Sequence, residues 1–284
     1  MTSATTLLEL CDLLDANDIL VSGIPEEADA NVTGAACDSR CVREGNVFFC
    51  KGRAFKPAFL TSALETGAVV YICDPDHAEE LAATAPSAPA IVTSDMRRAM
   101  ALVSAAAFGR PDLDVPQVGI TGTKGKSTTA YMLRYIIDAE NGEKTCGIIG
   151  SIDTYDGAED IESTNTTPEA PDLWRHLANA REHDLSAMVM EISSQALKYD
   201  RSLGLSLDVA AFLNIGADHI SAVEHPTFED YFASKLKIFS QCDNAVINLG
   251  TAHLERVLDA ARAAGVDVDE LRSTVEEIMH PVAM

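Results

Sequence analysis

The stretch from Gly119 to Ala130, GITGTKGKSTTA, constrains this chain more than any other. A short apolar run ends in a glycine-punctuated turn, and Lys-Ser-Thr then opens a helical pattern. Such a turn is an anion cradle: Gly122 and Gly125 let the backbone close on a phosphate, successive N–H groups converge on it, and the helix aims its positive dipole end there. The expected nucleotide contacts are Gly122, Thr123, Lys124, Gly125, Lys126, Ser127 and Thr128, with Lys126 on the β/γ-phosphates and the Ser127 hydroxyl in a Mg²⁺ shell. One position departs from the general phosphate-loop pattern: Ile120 stands where a glycine is usual, and the glycines fall at 119 and 122 instead.

With 284 residues, 47% of them hydrophobic, the chain has room for roughly two packed domains. Its 44 acidic and 21 basic residues give a formal charge of −23, which argues against nucleic-acid or anionic-membrane partners, since these demand a Lys/Arg face. The run Ala99–Gly109 is too short and alanine-rich to span a bilayer, and no signal peptide is evident, so a cytoplasmic location is expected. The seven cysteines are irregularly spaced and read as reduced thiols. Cys37 and Cys41 have no second pair or histidine at ligand spacing, so no metal site is expected there.

The alternation of elements predicts an α/β protein in two parts. A small α/β domain covers residues 1–109, with helices over 3–16, 57–66, 77–85 and 95–108 and strands over 46–50, 68–73 and 90–93. Residues 110–116, with two prolines and two acids, read as a linker. From 117 to 284 strands alternate with helices in the manner of a mostly parallel-sheet, phosphate-loop ATPase-like domain, expected to be incomplete. Strands are expected at 117–121, 145–150, 187–192, 208–214 and 245–249, and helices at 126–140, 168–183 and 228–241. Ligands of such sheets sit beyond the C-terminal strand ends, where the remaining polar motifs fall.

Asn165-Thr-Thr-Pro168 reads, taken alone, as a threonine cap before a helix. Glu191-Ile-Ser-Ser-Gln195 puts a carboxylate and two hydroxyls at a buried strand end, suited to a metal, to water in a phosphate site, or to capping the next helix. Asn214-Ile-Gly-Ala-Asp-His219 ends another strand, bringing His219 to the mouth shared with Lys126 and Glu191. Tyr231, Lys235 and Phe239 recur every fourth residue and so share one helix face.

Together with Asp38-Ser-Arg40 and Gly45-Asn-Val-Phe-Phe49 in the first part, and Arg201 after the paired serines, these motifs resemble in kind and order the Mur ligase family, in particular its tripeptide-synthetase (MurE-type) branch. The resemblance covers residues 35–250. It implies that Ser39 and Arg40 hold the uridine-diphosphate end of a UDP-sugar in the N-terminal domain, and that Thr166, Thr167, Ser193 and Arg201 hold its muramoyl-dipeptide. It implies ATP contacts at Lys126, Ser127 and Asn214, and Mg²⁺ ligands at Ser127, Glu191, His219 and Lys235, the last carbamylated by CO₂ so that a cation becomes an anion. Lys126, His219 and Lys235 are the implied catalytic set.

The implied activity is ATP-dependent amide ligation in peptidoglycan precursor synthesis, by a monomer. A γ-carboxylate of UDP-N-acetylmuramoyl-L-alanyl-D-glutamate is phosphorylated by ATP, and the amine of a diamino acid attacks the acyl phosphate. The alternatives are a folylpolyglutamate- or cyanophycin-type ligase, against which Asp38-Ser-Arg40 argues, or a binding module without turnover. Lys124 replaces a common Asn, Gln195 a common His and Tyr199 a common Gln, and the segment 220–226 is longer than usual. Family members also carry a C-terminal amino-acid-binding domain that residues 252–284 do not supply, so binding of the UDP-sugar with little ligation is expected.

Overall fold

The computed structural model describes residues 5–52, 54–141, 144–218, 220–221 and 224–266. They form two units. The first holds everything described up to Pro111, with Glu169–Ala178 and Asp200–Gly204; the second holds the rest.

The first unit runs α1 (Leu7–Asp15), β1 (Leu20–Ser22), β2 (Gly34–Ala36), β3 (Asn46–Phe49), α2 (Pro57–Thr66), β4 (Ala68–Cys73), α3 (Ala78–Thr84), β5 (Ala90–Thr93) and α4 (Met96–Ala107). Its sheet has the order β1-β5-β4-β3-β2, parallel except for β1. Local chemistry sets the helix starts. Thr6 and Glu9 form a reciprocal capping box on α1, Pro57 occupies the first turn of α2, and the Asp95 carboxylate accepts the Arg98 N–H of α4. Phe48, Leu60, Tyr71 and Leu81 make the core on one sheet face. Strands β1 and β2 were not expected; Gly34-Ala-Ala has no β-branched residue, and only pairing with Asn46–Phe48 makes it a strand.

The second unit continues with β6 (Gln117–Thr121), α5 (Lys126–Asn141), β7 (Cys146–Ile149), β8 (Asp153–Tyr155), β9 (Asp160–Glu162), α6 (Ala170–Glu182, whose first part belongs to the first unit), β10 (Ala187–Glu191), α7 (Ser194–Lys198), β11 (Leu207–Phe212), α8 (Phe228–Leu236), β12 (Cys242–Ile247) and α9 (Leu254–Ala263). The order is β12-β11-β6-β10-β7-β8-β9, with β6, β7, β10, β11 and β12 parallel and β8–β9 an antiparallel extension. Ile120, Ala130, Cys146, Ile148 and Val189 pack together beneath α5. Because β6 lies between β10 and β11 while the chain leaves it for β7, several C-terminal strand ends open onto one place.

Two boundaries differ from the periodicity. The helix predicted over 228–241 is α-helical only to Leu236 and tightens into a 3₁₀ turn over Lys237–Gln241. The last strand begins at Cys242 and ends at Ile247, because the polar Cys242 and Asn244 pair by backbone with Leu207 and Val209. All seven cysteine thiols are free, and no described helix is long and apolar enough to cross a membrane.

Candidate functional site

The site is built on the turn between β6 and α5. Gly125 has φ +88°, a conformation that glycine adopts without strain, and the turn delivers Lys126 and Ser127 to the first turn of the helix. The opening N–H groups of any helix lack intrahelical acceptors and face outward along the axis, which is the electrostatic basis of anion binding. Lys126 Nζ donates to the Gly122 carbonyl at 3.1 Å. Burial pushes its ammonium below the ordinary lysine value against the opposing pull of Glu191.

A second lysine reaches the same carbonyl. Lys235, only 2% exposed on α8, donates Nζ to Gly122 O at 2.9 Å, and its amine lies 4.9 Å from the centre of the Tyr231 ring. Desolvation, helped by the charge of Lys126, lowers its pKa to about 7. Tyr231, fully buried, places its hydroxyl 3.0 Å from Thr123 Oγ1. The shared face of Tyr231 and Lys235 therefore clasps two successive loop residues. Asn214 braces the loop from β11: its side-chain amide accepts from the Lys124 N–H and donates to the Lys124 carbonyl, both at 2.9 Å, while its own carbonyl accepts from Thr123 N–H at 3.0 Å. Lys124 Nζ sits 2.6 Å from Asp218 Oδ2.

Glu191, 1% exposed, ends β10. Its Oε1 accepts from the Ser151 N–H at 2.9 Å, and the Ser151 hydroxyl lies 3.1 and 3.0 Å from its two oxygens. Ser127 Oγ is 3.4 Å from Ser151 Oγ. A Cβ at Gly150 would stand 2.6 Å from Glu191 Oε1, so a side chain there would push the carboxylate aside. A buried carboxylate with two neighbouring hydroxyls is a hard-oxygen donor set that fits Mg²⁺. Ser151 was missed from sequence: a lone serine after a strand carries no signal until the sheet brings it against Glu191. Thr167, 1% exposed, donates to the Glu191 carbonyl at 2.8 Å and accepts from Ser193 N–H at 3.0 Å, so it brackets the turn after β10. Ser193 Oγ caps α7 through Ala196 N–H. Thr166 precedes this bracket in a half-buried bend, and Thr128 lies in the first turn of α5. His219, expected here, lies outside the described residues.

In the first unit, Ser39 and Arg40 sit in a 3₁₀ turn over Ser39–Cys41 and line a cavity of 690 Å³ with Cys37, Lys51, Phe48 and Phe59. The Arg40 guanidinium forks onto Asp38 and holds that carboxyl below its usual range. Lys51 pairs with Glu169, whose other oxygen takes Arg201 at 2.8 Å. Burial raises the Glu169 pKa, but Lys51 and Arg201 outweigh it and hold the carboxyl low. The expected substrate residues thus divide, Ser39, Arg40 and Arg201 belonging to the first unit and Thr166, Thr167 and Ser193 to the second.

A doubly wound parallel sheet with a glycine-rich phosphate turn at its C-terminal edge defines the class of the second unit. Residues 120–273 match the model of the Mur ligase middle domain. The chain belongs to the Mur ligase family. It is 39% identical over 277 residues to a UDP-N-acetylmuramyl-tripeptide synthetase of Bifidobacterium longum, covering 93% of this chain and 52% of that protein. It is 36% identical over 253 residues to a UDP-N-acetylmuramoyl-L-alanyl-D-glutamate–L-lysine ligase of Enterococcus faecalis, covering 86% and 49%. The chain spans about half the length of these curated relatives. Among solved structures its fold is similar to that of a UDP-N-acetylmuramoyl-L-alanyl-D-glutamate–2,6-diaminopimelate ligase, with TM-score 0.67 and 22% identity over 92% of this chain and 50% of the other. A MurF of Acinetobacter baumannii matches with TM-score 0.56 and 19% identity, covering 92% and 52%.

Proposed function

We propose that this chain supplies the UDP-sugar-binding and ATP-binding parts of a cytoplasmic amide ligase of peptidoglycan precursor synthesis. The ligase adds a diamino acid to UDP-N-acetylmuramoyl-L-alanyl-D-glutamate. The observation that carries the reading is the meeting of Lys126, Ser127, Glu191 and the buried Lys235 around one phosphate turn. Family membership and relatives named for this tripeptide support it.

In this reading Lys126 leaves the Gly122 carbonyl for the phosphates of ATP, and the loop N–H groups take the remaining oxygens. Glu191 and Ser127 hold Mg²⁺, joined by Lys235 in carbamylated form; when bound, the ion supplies charge neutralisation at the transferring phosphoryl group. Lys235 suits carbamylation because a pKa of about 7 leaves much of the amine uncharged at neutral pH. Its nitrogen attacks CO₂, a C–N bond forms, and one proton leaves to solvent. His219 stands in the proposed metal set on the strength of the family resemblance alone. Asn214 works here by holding the loop backbone. Ser39 and Arg40 bind the uridine-diphosphate end, and Thr166, Ser193 and Arg201 the peptide end. The protein's part in phosphoryl transfer is then positioning and charge, since an unactivated carboxylate is a poor electrophile until it is phosphorylated.

The test incubates the 284-residue chain with ATP, Mg²⁺ and UDP-muramoyl-dipeptide, with and without lysine or diaminopimelate, and follows nucleotide binding, ADP and tripeptide. Binding of Mg·ATP that is lost in Lys126→Met supports the reading. A chain that binds neither nucleotide nor UDP-sugar overturns it.

A further inference from the structure

A buried polar chain joins α7 to α8. His225 is fully buried, its Nδ1 2.6 Å from Asp230 Oδ2 and its Nε2 3.0 Å from Ser194 Oγ. Lys198 Nζ reaches the same Asp230 oxygen at 2.6 Å and the Glu224 carbonyl at 3.0 Å, and the Gln195 amide donates to the Glu224 carboxylate at 3.1 Å. The Lys198 ammonium, joined by His225, holds the Asp230 carboxyl low against the opposing effect of burial, so this residue is an acceptor only. That fixes the direction of the chain: Nδ1–H donates to Asp230, and in the neutral ring Nε2 accepts the Ser194 hydroxyl proton. The connectivity is that of a serine–histidine–aspartate relay, but Ser194 is 6% exposed and locked in the first turn of α7, so its hydroxyl meets no substrate.

What the chain does is hold α8. Asp230 lies in the first turn of this helix and Tyr231 follows it; Tyr231 and, one turn on, Lys235 touch Thr123 and Gly122 of the phosphate loop. Ser194 follows the Glu191–Ser193 turn that Thr167 brackets. One hydrogen-bonded line therefore runs from the turn after β10, through His225, to the residues that clasp the loop. We infer that His225 is a positioning residue that sets the phosphate loop through Asp230 and α8, so that the turn carrying Ser193 and the loop carrying Lys126 move as one. The inference rests on the reading of that loop as the nucleotide site.

Two measurements on Ser194→Ala, His225→Ala, His225→Asn and the Ser194→Ala/His225→Ala double variant test it. In hydrogen exchange, peptides spanning 119–127 are expected to open about tenfold faster in each alanine single variant, the loss of one buried hydrogen-bond partner. In calorimetric titration with ADP and Mg²⁺, the same variants are expected to bind about tenfold more weakly. The double variant should be no worse than the weaker single one, because both residues act through one chain. His225→Asn, whose amide can still donate to Asp230, should recover part of both effects. If His225→Ala does not fold, Ser194→Ala and His225→Asn decide. Faster exchange confined to 224–236, with 119–127 unchanged, overturns the inference, as do fully additive losses. A wild-type chain that binds no ADP removes the nucleotide reading, while the exchange measurement still decides whether His225 sets the loop.

Discussion

Two pairs of cations among the described residues, one in each unit, are held in opposite ways. In the first unit Lys51 and Arg201 share the Glu169 carboxylate, which compensates their charge and is itself held in its ionised form. In the second, Lys126 and Lys235 share only the Gly122 carbonyl, a dipole, and both lose affinity for their protons. A cation pair closed by a carboxylate is a tie, or a site that must give up its partner before an anion can bind. A pair held by a carbonyl leaves its amines free to turn to an incoming group, and burial weakens their hold on the proton. Among the described residues, burial outweighs the pull of Glu191 and Asp218 on Lys126 and that of Asp218 on Lys235, so negative charge brought to the phosphate loop would be favoured there.

The largest effect comes from removing Lys126. Lys126→Met is expected to weaken Mg·ATP binding or turnover about 100-fold, the scale of losing one preorganised charge at a reacting phosphate, whereas Lys51→Met leaves nucleotide affinity where it was. Titration calorimetry on both variants decides, and equal losses would erase the distinction. Next comes the pH response of stability. The Lys235 pKa falls from 10.5 to about 7 on folding, so between those values the unfolded chain binds more protons than the folded one. Stability contributed by this site therefore rises as pH increases from about 7 towards 10.5, and burial of the charged form is a penalty below that window. Urea unfolding of wild type and Lys235→Met at pH 7 and 9.5 should show the wild type gaining more from the alkaline shift. Parallel gains would sink the argument.

Much of this contrast was legible in the sequence, but unevenly. Gly119–Ala130 announces its own geometry because glycine turns and a Lys-Ser helix start are local facts, and β6 and α5 form where the pattern places them. Tyr231 and Lys235 could be put on one helix face by their spacing, but not against Gly122 and Thr123, because that contact spans 113 residues of chain in the case of Lys235. Ser151, His225 and the Glu169 tie had no periodic or motif signal; each depends on which strand or turn lies beside it in space. The β8–β9 extension was silent for a related reason, since β9 is wholly exposed and carries no buried stripe to betray it.

On the compensated side, Glu169→Gln leaves two cations sharing a neutral amide. The expected loss is about 1–2 kcal/mol at neutral pH, discounted for the partial exposure of all three groups. Its sign with pH is the same as that of Lys235, since folding depresses both pKa values, but the window lies in the acid range and here the charged form is the favoured one. The folded carboxyl titrates below its ordinary value of 4.5, so the stabilisation is complete above that value and disappears as pH falls through the lower folded one. Unfolding midpoints at pH 7 and 3.5 should converge for wild type and Glu169→Gln at the acid end. A variant that stays less stable by the same amount at both would mean that the tie works by shape and not by charge.

The smallest effect isolates the clasp from the charge. Tyr231→Phe keeps the ring beneath the Lys235 amine, and so keeps the cation–π contact, but removes the hydroxyl that meets Thr123. The Thr123 hydroxyl still accepts from the Gly216 N–H at 3.0 Å, so it keeps a partner. The expected cost is therefore that of one neutral hydrogen bond, about 1 kcal/mol in urea unfolding, with nucleotide affinity falling less than fivefold. A loss as large as that of Lys126→Met would show that the phosphate loop is held mainly by the hydroxyl of Tyr231. The shared carbonyl of Gly122 would then be a consequence of that hold and not its cause.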